Sequence, residues 1–237
     1  MTPLMKASLF LPAMLALPLS AAIQAVPLMP LQDAPTHLVL IDDDDGRVEI
    51  VPPANVLAPA APRRFHGGAV VRAPKVSTLF LGSAWFGPTH SATMTRLGGS
   101  MVAFGVSERF SALKSYGLSA FSFPVAEQGV APLLPQVSVL SDLAIQHFLH
   151  TALHLGRLSA PTNDSVVVVF LAPGLRSTLG GKANGEAFLA YHSAYHDDVG
   201  LVRYVVVPFG ATAEATEGAA EQALTAAILD PDGNGWY

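Results

Sequence analysis

The run Val166-Val167-Val168-Val169-Phe170-Leu171 has no polar side to offer water, and it stops at Pro173-Gly174. Six apolar, mostly β-branched residues bounded by a turn read as a buried strand. Residues 76–81 form a second such run. Between them the pattern becomes helical. Residues 91–104 read as a helix in spite of Gly98-Gly99. Ser107 caps another at 108–116, which Gly117 ends. Ser141-Asp142 opens the clearest helix, 143–155, stopped by Gly156. Its apolar face holds Leu143, Ile145, Phe148, Leu149, Ala152 and Leu153. Residues 187–195 and 201–207 are β-prone runs joined by Asp197-Asp198-Val199-Gly200, which predicts a hairpin. The Ala-rich segment 214–229 is a last helix, closed by Asp230-Pro231-Asp232-Gly233. Strand, helices, strand, hairpin and helix, in that order, predict an α/β (α+β) fold. It is a single domain with a mixed sheet and a β-hairpin packed against helices.

The N-terminal part obeys other rules. Residues 1–6 are short and basic through Lys6, 7–19 are apolar, and Ser20-Ala21-Ala22 offers small residues for cleavage. This is the order of a secretory signal peptide, 1–22. A membrane anchor fits less well, because Pro12 and Pro18 interrupt the run and it is shorter than about 20 residues. The expected location is secreted or periplasmic, with no membrane span after cleavage. Prolines make 23–64 an N-terminal arm, ahead of a domain at 65–237. Within the arm, 37–41 and 47–51 flank Asp42-Asp43-Asp44-Asp45-Gly46 as a candidate hairpin. Those aspartates are a solvated turn or, with a fuller ligand set, a calcium site.

The chain has no cysteine, which excludes disulfides, thiol catalysis and Cys-ligated zinc. A metal would have to be held by His, Asp or Glu. Only 13% of residues are charged, so the surface implies exposed apolar area or an extracellular partner. The net charge is -5 and no basic run exists, so a nucleic-acid partner is not expected.

Several groups have ligand character. His147, His150 and His154 share one face of the helix at 143–155, opposite its apolar side. They read as a solvated face or as zinc ligands. His192 and His196 are four apart with Ser193 between them, where a zinc protease would place Glu. On a strand that offset keeps both on one face but about 13 Å apart. A strand histidine followed by a turn histidine is the plainer reading. Asp230, Asp232 and Asn234 match the start of a calcium loop without its distal Glu. His192, His196, Asp230 and Asp232 are thus the candidate metal residues, for zinc or calcium. No GxSxG elbow, phosphate loop or dinucleotide fingerprint occurs.

Segments across 65–237 together resemble a family. His66-Gly67-Gly68 with Val70-Val71 is similar to "HGGPVL". Residues 76–82 with Trp85-Phe86 are similar to "VYxIWYG", and 110–117 to "YLSxLSQYGV". Residues 168–174 (VVFLAPG) are similar to "YVVFLPPG". Tyr191-His192-Ser193 with 204–208 is similar to "CGYHS" and "YAVVPY", and the end to "TDPxxxGWYD". These belong to the EXORDIUM-like, or phosphate-induced, secreted proteins of plants and their bacterial relatives. The resemblance implies a zincin-like arrangement with "SHELxEAxTDP" on the last helix, its His on zinc and its Glu as base. Here those positions hold Gln222 and Ala223, the second acid falls on Ala226, and Ala190 replaces the Cys.

Two main functions follow from this. One is a secreted, non-catalytic EXORDIUM-like protein with a structural or interaction role. The other is a secreted, peptidase-like zinc metallohydrolase with substitute ligands, His192, His196 or the 147/150/154 trio. A calcium-stabilised module is a third reading. The first is preferred, because a fold outlasts its chemistry.

Overall fold

The computed structural model describes residues 38–41, 47–53, 68–124, 128–131 and 137–233, all within the unit Gln32–Tyr237. The signal peptide, most of the arm, the four-aspartate turn and residues 234–237 lie outside the described residues.

Ten strands and four α-helices are described. The strands are β1 (Leu38–Ile41), β2 (Arg47–Val51), β3 (Lys75–Leu81), β4 (Gln128–Ala131), β5 (Val139–Ser141), β6 (Ser165–Leu171), β7 (Arg176–Leu179), β8 (Lys182–Ala183), β9 (Ala190–Asp197) and β10 (Gly200–Val207). The helices are α1 (Ser91–Gly105), α2 (Glu108–Leu113), α3 (Asp142–His154) and α4 (Ala213–Leu229). Seven strands form one mixed sheet in the order β1-β2-β9-β10-β6-β3-β4. β10, β6, β3 and β4 run parallel, whereas β9 and the β1–β2 hairpin are antiparallel to their neighbours. The fold is mixed α/β, as the order of elements predicts.

The apolar run becomes β6, flanked by β10 and β3, and residues 166–171 are all buried. A strand at that place has neighbours on both edges and cover on both faces, which is why it needs no alternation. Phe170 stacks on Phe80 at 5.2 Å, and Trp85 meets Phe80 edge-on at 5.3 Å. The Trp85 indole donates to the Phe170 carbonyl at 3.2 Å, so its one polar atom is satisfied inside the core.

The helices divide between the two faces of the sheet. On β9, Tyr191, Ser193, Tyr195 and Asp197 alternate onto one face, and three of them reach α3 side chains or backbone. The other face carries His192 and, opposite Ala194 on β10, Arg203. Arg203 points to Asp232, just beyond α4, with 3.8 Å between charged atoms. α4 packs over β10, β9 and β2 and against α1. Its buried side is mostly alanine: Ala219, Ala220, Ala223, Ala226 and Ala227. Its carboxylates turn the other way, Glu214 and Glu217 to Arg96 of α1 and Glu221 to Arg109 of α2. Among the described residues no helix is long and apolar enough to cross a membrane.

The small second sheet, β5-β7-β8, joins the strand just before α3 to two short strands that follow β6. β5 delivers the chain to Ser141, whose hydroxyl accepts from the Ala144 amide as an N-cap. α3 starts one residue earlier than expected and buries a narrow stripe, Asp142, Ile145, Leu149 and Ala152. Leu143 was expected on that face. It is 70% exposed, because one helical step of about 100° carries it off the stripe.

Gly82 ends β3 at φ 124°, and a Cβ there would sit 2.6 Å from the Ala172 Cβ at the end of β6. Gly82→Ala is therefore expected to cost about 2 kcal/mol or more in urea unfolding, whereas Gly99→Ala, which meets nothing within 4 Å, should not destabilise.

Candidate functional site

α3 lies along β9. Thirteen helical residues span about 18–20 Å, and the strand from Tyr191 to Asp197 spans about 20 Å, so the two elements match over their whole length. Pairs mark the register from end to end. Asp142 meets Tyr191, Gln146 meets Tyr195, His150 meets Asp197, and His154 meets Asp198.

The first end of this seam is buried. Asp142 is 5% exposed. Its Oδ1 accepts from the Tyr191 hydroxyl at 2.6 Å, and its Oδ2 accepts from Tyr204 at 2.8 Å and the Gln146 amide at 2.8 Å. Burial, and next the charge of Asp142, push the Tyr204 hydroxyl well above its ordinary pKa, so it remains a donor.

The other end opens to solvent. His150 Nδ1 lies 2.8 Å from Asp197 Oδ2. His154 Nε2 lies 2.9 Å from Asp198 Oδ1 and 3.5 Å from Asp197 Oδ1. The His150 and His154 rings are 4.2 Å apart, as an i, i+4 pair on one face permits. His147 stacks on His150 at 6.4 Å. Both imidazoles are nearly half exposed, whereas the Asp197 side chain is 1% exposed. Burial alone would raise the Asp197 carboxyl. Hydrogen bonds with Asp198, with His150 and from the Val199 amide outweigh it, and the group lies below the usual carboxylate range. Tyr195 is shifted the other way, by burial first and then by the charge and hydrogen bond of Asp197. A cleft of about 720 Å³ opens beside this end, lined in part by Leu143, His147, Tyr195 and His196.

Of the residues singled out in the sequence, the helical trio comes to this seam. His192 and His196 are both on β9, so a turn position for the second histidine is corrected. The strand runs on through Asp197, because the turn needs only Asp198 and Val199. His192 is 3% exposed, opposite Val205, and His196 is exposed, opposite Leu201. Asp230 is buried at the end of α4, its amide donating to the Ala226 carbonyl at 2.8 Å. Asp232 faces Arg203. Among the described residues, the ligand atoms that converge belong to His150, His154, Asp197 and Asp198, all within 4.8 Å of one another. The sequence offered the histidine face and the aspartate turn as separate features.

Two predictions test the seam. Removing the 2.6 Å bond with Tyr191→Phe is expected to cost about 1.5–3 kcal/mol in urea unfolding. Asp197 has a folded pKa below the ordinary value of about 3.9. Its ionised form therefore stabilises the fold above about pH 4, and that contribution disappears as pH falls through the folded value. The stabilisation of wild type over Asp197→Asn, read from urea midpoints, should persist down to about pH 4 and shrink on further acidification.

No protein-family model matches this chain, and no curated protein and no solved structure matches it at a significant level.

Proposed function

We propose that this chain is an exported EXORDIUM-like scaffold that binds an extracellular partner and does not turn over a substrate. The carrying observation is the use made of α4. The helix lies over the β9–β10 hairpin, where the resemblance expects a zincin-like active-site helix. It presents alanine there: Ala223 is fully buried at the position of the expected base, and Gln222 is half-buried at the position of the expected ligand. All three of its carboxylates are engaged by Arg96 and Arg109 on the far side. Alanine at those places brings helix and sheet close together and supplies neither a proton acceptor nor a metal ligand. Binding is supported by the open cleft and by Leu143 exposed on its wall. The leader pattern at 1–22 supports export.

A second reading, a zinc-dependent hydrolase with substitute ligands, draws on the His–Asp convergence at the far end of α3. Turnover separates the two. Purified protein supplied with zinc is expected to process fluorogenic peptides, esters and phosphoesters no faster than zinc in buffer. Metal-dependent turnover that vanishes in a His150→Ala/His154→Ala variant would establish the second reading instead. Deleting residues 1–22 is expected to leave the protein in the cytoplasm, measured by cell fractionation.

A further inference from the structure

We propose that His150, His154, Asp197 and Asp198 form a site for one divalent transition-metal ion of the zinc class, which fastens the β9–β10 turn to α3. The inference does not depend on whether the chain is catalytic.

Two elements far apart in sequence bring four ligands of suitable type to one point. α3 supplies two imidazoles one turn apart, and the end of β9 with the first turn residue supplies two adjacent carboxylates. Zinc ligands at about 2.0–2.2 Å in a tetrahedron stand about 3.3–3.6 Å from one another. The present separations bracket that spacing. The hydrogen-bonded pairs are closer, at 2.8 and 2.9 Å, and all the atoms fall within 4.8 Å. An ion entering between them replaces the shared protons, spreads the close pairs and draws in the distant ones.

The surroundings are those of a held ligand. Asp197 accepts from the Val199 amide at 3.3 Å, and the Tyr195 hydroxyl beside it is held by the Gln146 carbonyl at 3.3 Å. Such outer contacts orient a metal ligand before the metal arrives. The donor set decides the class of ion. Two imidazole nitrogens and two carboxylates suit zinc, cobalt, nickel or copper, whereas calcium and magnesium take oxygen alone. Four protein ligands fill a tetrahedron, which is the arrangement of a structural site.

An ordinary pair of surface ion bridges would share this geometry without selecting a metal, and binding measurements distinguish the two. Chelator-stripped protein is titrated with zinc against a chromophoric chelator, and separately with cobalt while its visible absorption is recorded. The expected result is one equivalent bound, cobalt bands of tetrahedral intensity and a higher melting temperature with zinc. His150→Ala and His154→Ala should each weaken zinc binding by about 100-fold or more. His90→Ala, on the segment before α1, should bind as wild type. Circular dichroism confirms that each variant is folded. The proposal is overturned if folded wild type binds no stoichiometric zinc, or if affinity survives both histidine substitutions. Either result leaves the scaffold reading standing, because that reading fails on turnover alone.

Discussion

The carboxylate of Asp142 is the fixed point of the α3 face. A polar group this deep must be fully hydrogen-bonded or it destabilises the fold. Tyr191, Tyr204 and Gln146 meet that requirement from three elements. The same bonds fix where α3 begins relative to β9 and β10. With the start fixed, the length of the helix decides what its last turn meets. His150 and His154 arrive at the hairpin tip because a helix of this length is as long as the strand beneath it. The position of one end therefore determines the chemistry available at the other.

The two faces of the sheet follow different principles. Beneath α4 the contacts are mostly alanine and aliphatic, with His192 and Arg203 set among them, and the helix approaches closely because its side chains are small. Beneath α3 the contacts are tyrosine, glutamine, histidine and aspartate, with only a narrow apolar stripe for adhesion. Directional bonds hold α3 in one register, which suits a face that presents a cleft. Close apolar packing holds α4 against the opposite face.

Much of this was legible in the sequence. β6 and β3 could be read from apolar runs, and the helix starts from Ser107 and Ser141, because those signals are local. The hairpin at 190–207 was legible from its turn. Leu143 was misplaced because periodicity gives the pitch of a helix and not the angle at which it meets its sheet. The short sheet β5-β7-β8 was missed because two to four residues per strand leave little alternation to detect. The histidine face and the aspartate turn were each noticed, but nothing local says that they touch. His150 and Asp197 are 47 residues apart, and their meeting depends on the register of α3 along β9.

The pairing of β2 with β9 has a kinetic consequence. The β1–β2 and β9–β10 ribbons can each zip up within microseconds. The joint between them, like the seat of β3 beside β6, waits for distant stretches of chain to find one another. Until then each ribbon carries an open edge able to accept a strand from a neighbouring molecule. Maturation of this protein is thus a race between intramolecular docking and self-association, decided by how quickly β9 appears for β2 to join.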